Sequence, residues 1–154
     1  MTQASVTAQG TIPEPQPSPF VHRDWFMFFK LFSLSGAVFA GLSVVLSAAL
    51  AHLPQFAAGV PAMVQTALVQ QQFHALGLLV VALAMLQLGP NRWLVLAGGL
   101  MLTGMLLFSL NIYARQLLGW DAARALVPWG GGAWIAAWIA LALGLMRKDP
   151  NDRD

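Results

Sequence analysis

A chain of 154 residues that is 58% hydrophobic and 9% charged falls far below the roughly 25% charged residues of a soluble domain, and its composition places it in a bilayer. A net charge of +2 carried by so few ionisable side chains makes no basic patch and excludes nucleic acid as a partner. The sequence holds no cysteine, which excludes disulfides, thiolate metal sites and thiol nucleophiles.

In chain order, Met1 to Asp24 alternates Pro13, Pro15, Pro17 and Pro19 with polar residues and shows no hydrophobic periodicity. It reads as a disordered, proline-rich tail over residues 1–24. Trp25-Phe26-Met27-Phe28-Phe29-Lys30 then forms the aromatic and basic collar found at headgroup depth. It leads into a first apolar span, residues 31–53, long enough to cross the roughly 30 Å of hydrocarbon. Ala49-Leu50-Ala51 resembles a signal-peptidase site, but the apolar run exceeds the 7–15 residues or so of a signal core, so the segment is expected to stay as a helix.

Pro54, Gly59 and Pro61 mark a connector, and the second span covers residues 66–88. Gly89-Pro90-Asn91-Arg92 is a turn signal. The third span covers 93–114, a loop carries Arg115, Trp120, Asp121 and Arg124, and the fourth span covers 126–146 before Arg147 and Lys148. Residues 149–154 form a short polar tail. The expected fold is all-α: an integral membrane four-helix bundle over residues 25–148.

Four spans return both termini to one side. Arg23, Lys30, Arg92, Arg147, Lys148 and Arg153 lie there, against Arg115 and Arg124 on the other. By the positive-inside rule both termini are cytoplasmic, in a bacterial inner membrane, or face the matrix in an organelle. Gly132, Ala136, Ala140 and Gly144 repeat every four residues in the fourth span, and such ladders let membrane helices approach closely. Trp134 and Trp138, one turn apart near its middle, read as fillers of an interhelical groove or as a wall for a flat cofactor.

Polar residues inside the spans gather toward the non-cytoplasmic leaflet. His52 closes the first span, Gln70, Gln71 and His74 lie early in the second, and Ser109, Asn111 and Tyr113 lie late in the third. Unpartnered, such groups cost several kcal/mol, roughly, in hydrocarbon, so they must face one another, a ligand or water. Three uses fit. The first is a hydrogen-bond network that fixes helix packing. The second is a pocket for a quinone or other small molecule. The third is a haem held by His52 and His74. Two imidazoles without a carboxylate make a poor metal site, and no cofactor is expected. No carboxylate lies within a span and no Ser/His/Asp set shares a depth, so catalysis has no support.

Gln65-Thr66, Gln71, Phe73-His74-Ala75-Leu76, Leu107-Phe108-Ser109, Tyr113, Pro128, Gly130-Gly131 and Trp138 occur in an order that resembles the YgdD-like small membrane proteins, domain of unknown function four-two-three. The likeness runs from about Ser33 to Lys148. It implies four transmembrane helices in a bacterial inner membrane, with mitochondrial relatives, and no established activity. Ser47, Ala48, Gln70, Leu110, Asn111 and Val127 depart from the family pattern within or near the polar cluster. Together these features suggest a noncatalytic accessory or assembly subunit that meets a membrane-protein partner or its own copy. The rival is a redox, haem, quinone or lipid-binding protein.

Overall fold

A computed structural model describes residues 19–147 apart from Pro90. Among these the chain is all-helical, with four helices long and apolar enough to cross a membrane. Most of the expected proline-rich tail, residues 1–18, and the polar tail at 149–154 lie outside the described residues.

Helix α1 spans Pro19–His52 and so begins before the expected end of the tail at Asp24. Proline suits a first helical turn, where its missing N–H has no acceptor to lose and its φ is already helical. A 3₁₀ turn over Pro54–Phe56 follows, and α2 runs Ala62–Leu88. It starts ahead of residue 66 because Pro61, extended at φ −54° and ψ 136°, stands immediately before the first helical residue. The third span is composite: α3 over Arg92–Gly104, a π-helical turn over Met105–Leu110, and α4 over Asn111–Leu118. Gly119 ends it at φ 68°, the left-handed conformation that glycine adopts at little cost. A 3₁₀ turn over Arg124–Leu126 leads into α5, Val127–Leu145.

The helices pack as pairs, α1 along α2 and α3 along α5, joined where α2 lies against α3; α2 and α5 touch over a short stretch, and α1 meets α3 lightly. Phe32, Leu78, Met85, Leu94, Met101 and Met105 fill the centre. A second cluster at the end that carries the α1–α2 and α4–α5 connections gathers Leu50, Val64, Ala67, Ile112 and Tyr113. At the opposite end Asn91 works twice: its Oδ1 accepts from the Trp93 N–H at 3.0 Å, capping α3, and its Nδ2 donates to the Gly144 carbonyl at 2.9 Å. A cap of this kind is worth about 1 kcal/mol. The second bond ties the end of α5 to the α2–α3 turn.

The four-residue ladder of α5 divides. Ala140 and Gly144 are buried, while Gly132 and Ala136 face outward, and a Cβ at Gly132 would meet nothing within 4 Å. On a helix of 3.6 residues per turn each four-residue step drifts by about 40°, so the ladder winds off any straight face. The buried stripe is instead Gly130, Trp134, Ala137, Leu141 and Gly144, which alternates steps of four and three.

Candidate functional site

His74 is the most elaborately held polar residue in the spans. Its Nδ1 lies 2.8 Å from the Gln70 carbonyl oxygen, one turn earlier in α2, and the Trp138 indole N–H donates to its Nε2 at 3.2 Å. A carbonyl accepts only and an indole donates only. Both bonds are therefore satisfied together by the neutral imidazole with its proton on Nδ1. The ring stacks on Trp134 at a centroid distance of 4.0 Å and an interplanar angle of 6°. Trp134 in turn donates to the Met101 carbonyl at 3.2 Å and meets Phe108 at 4.9 Å. Phe73 leans on Trp138 at 5.2 Å. One histidine and four aromatic side chains from α2, the π turn and α5 thus form a single stack.

Glycine makes this possible at two places. A Cβ on Gly104 would run into the Trp134 indole, and one on Gly130 would lie 2.8 Å from the Phe108 backbone nitrogen. The wider π turn, with its i→i+5 bonding, carries Phe108 against Trp134 while Ser109 reaches α2, where its hydroxyl donates to the Ala67 carbonyl at 3.0 Å.

The remaining polar residues do not converge on His74. Gln71 points away from it and donates to the Phe39 carbonyl of α1 at 2.9 Å. Asn111 donates to the Ala123 carbonyl in the connection before α5. Among the described residues Asn111 Oδ1 and the Tyr113 hydroxyl are buried without a partner. His52 is exposed at the last residue of α1. His74 stands twelve residues into α2, about 18 Å along the helix from its start at 1.5 Å per residue, so the two histidines do not share a depth. That separation does not place the two histidines to bridge a haem, and both His74 nitrogens already have partners within the chain. Among the described residues no group of three or more His, Asp or Glu side chains is placed to hold a metal ion.

What the stack does form is one side of an open groove between α2 and α5. The groove has a volume of ≈ 400 Å³, and its lining includes Gln70, Phe73, Phe108, Gly131, Trp134 and Trp138. A recess of ≈ 340 Å³ adjoins it along the first turns of α2, lined by Ala62, Gln65, Thr66, Val69 and Gln70. Gln70 lines both. Sequence reasoning found Gln70 and His74 but missed Phe73, Phe108 and Gly131 as members of the site. The signal available was the pair Trp134 and Trp138 at one-turn spacing; what was lacking was the register that sets them opposite His74.

The family model described as "Protein of unknown function (DUF423)" matches residues 46–131. The UPF0382 membrane protein of Haemophilus influenzae is 32% identical over 124 residues, which is 79% of this chain and 94% of that protein. The chain belongs to the DUF423 family. A second relative, the UPF0382 membrane protein YwdK of Bacillus subtilis, is 32% identical over 123 residues, 77% of this chain and 98% of its own. No solved structure matches the chain. With four apolar helical spans and curated relatives that are membrane proteins, this DUF423 member is an integral membrane protein. The matched interval takes in Gln70, His74, Phe108 and Gly131 and stops short of Trp134 and Trp138, so the groove is built partly from residues outside it.

Proposed function

We propose that this DUF423 protein is a noncatalytic accessory or assembly subunit of a larger membrane complex in the bacterial cytoplasmic membrane, with both termini on the cytoplasmic side. The observation that carries the reading is a set of small residues that face outward on α1 and on α5. Gly41 on α1 and Gly132 on α5 have open space beyond them, Ala136 is exposed one turn after Gly132, and α1 has the least buried span of the four. In lipid, where apolar burial drives helix association weakly, such surfaces allow a foreign helix close backbone contact. The polar side chains inside the spans add to the case: Gln71, Ser109 and Asn111 end on backbone carbonyls of this chain, which supports a packing role for them.

A photo-crosslinking amino acid placed at Gly132, with one at the buried Leu141 as control, tests the reading in cells at native expression. The expected result is an adduct between residue 132 and a different, larger membrane protein, absent from position 141. Adducts at 132 with lipid alone would contradict it. Adducts with a second copy of this chain alone would replace the accessory role with self-association.

A further inference from the structure

We propose that the groove between α2 and α5 binds the flat, uncharged head of a lipid-soluble quinone, with the prenyl tail leaving sideways into the bilayer. This goes beyond the accessory role and does not depend on it, and it is a binding site only; no electron transfer is assigned to it.

Four observations select that chemistry. The groove lining is largely aromatic: Phe73, Phe108 and Trp138 border it beside the buried Trp134, and aromatic surfaces favour a flat partner over a plain chain. No lining residue of the groove or of the recess beside it carries a fixed charge, so nothing there neutralises the phosphate of a phospholipid head. Hydrogen-bonding groups stand at one end. Among the described residues the Gln70 side-chain amide has no partner, whereas that of Gln65 donates to the Val60 carbonyl at 3.1 Å. Gln70 therefore offers two N–H donors to a ring carbonyl, and the Thr66 hydroxyl stands one turn away in α2. Finally, ≈ 400 Å³ lies within the range of about 300–1,000 Å³ typical of small-molecule sites.

The order of these groups also suits a bilayer ligand. Thr66 and Gln70 lie four and eight residues into α2, nearer its loop end, and the aromatic section lies deeper, toward the middle of the span. A quinone entering from the lipid would meet the aromatic walls with its ring and the amide with its carbonyl. Gly131 keeps the wall of the groove open, because a Cβ there would touch nothing within 4 Å. A larger side chain at 131 would fill the groove and disturb no packed neighbour.

The test is titration of the full-length protein in mild detergent with decylubiquinone, read by quenching of tryptophan fluorescence. Saturable quenching is expected, with apparent affinity at least about tenfold weaker in Gly131→Leu. In Gln70→Leu a loss of about two- to tenfold is expected, the value of one hydrogen bond. Gly132→Leu, also outward but off the groove, should bind as wild type does and shows that a leucine in this turn leaves the fold intact. Quenching that rises linearly with quinone and is the same in all variants would overturn the proposal, because it reports partition into the micelle alone. Displacement of the quinone by dioleoylglycerol at equal concentration would also overturn it, making the groove a seat for acyl chains.

Discussion

Close packing around Trp134 is the most sensitive point at the residue scale. Gly104→Ala drives a methyl group into the Trp134 indole, with no flexible chain end to yield, and should destabilise the protein by about 1–3 kcal/mol, the usual cost of overpacking. Gly132→Ala adds a methyl to open space and should be neutral or slightly stabilising, since glycine inside a helix is worse than alanine by up to about 1 kcal/mol. Unfolding both variants with increasing mole fraction of denaturing detergent measures the contrast. Equal losses would mean that the ladder of α5 packs as a straight face after all. At this scale the sequence is only partly readable. It shows His74, Trp134 and Trp138, but pairing His74 with Trp138, sixty-four positions away, depends on the axial register of two helices, which residue spacing within each does not contain. An apolar run that begins at residue 66 sets His74 near the depth of His52; the four additional residues of α2, from Ala62, move it about 6 Å deeper.

The third span is the element whose form the sequence conceals. Its hydrophobic run continues through Met105–Leu110 with only Ser109 interrupting it, and composition cannot distinguish α from π winding there. The difference lies in contacts: Gly130 on α5 comes within reach of the Gly104 carbonyl and the Phe108 backbone, and a wider turn accommodates that approach while Ser109 still reaches Ala67. A turn closed by i→i+5 bonds holds one residue more than an α turn. Deleting the exposed Leu106 should therefore let the segment rewind as α-helix with α3 and α4 close to their places, and cost little stability. Deleting Leu96, also exposed, from regular α3 should rotate everything after it by about 100°, take Gly104 away from Trp134, and prevent recovery of folded protein. Comparable yields of the two deletion variants would show that the π turn is not an accommodated extra residue. The four spans themselves were legible, because hydropathy over some twenty residues needs no partner. Their ends were less so: Pro61 and the left-handed Gly119 set where α2 starts and α4 stops, and both extend the helices beyond the apolar runs.

Orientation belongs to the whole molecule. Because the chain lacks cysteine, Trp120→Cys in the exposed α4–α5 connection and Arg147→Cys beyond α5 give single thiols on opposite sides. With both termini cytoplasmic, a membrane-impermeant maleimide should label position 120 in intact spheroplasts and reach position 147 only after permeabilisation; the reverse pattern would invert the topology. Gln71, Ser109 and Asn111 bond helix to helix or to a connection within the chain, Gln70, among the described residues, stands free at the groove, and the outward small residues of α1 and α5 are where the proposed protein partner would dock. The most direct measurement is purification of the protein at native expression in mild detergent, with an ultraviolet–visible spectrum and mass spectrometry of the proteins that accompany it. Recovery with subunits of a larger membrane complex in a fixed ratio, and no Soret band, is the predicted result. Recovery as a lone chain, or with a Soret band that disappears in His74→Ala, would contradict it.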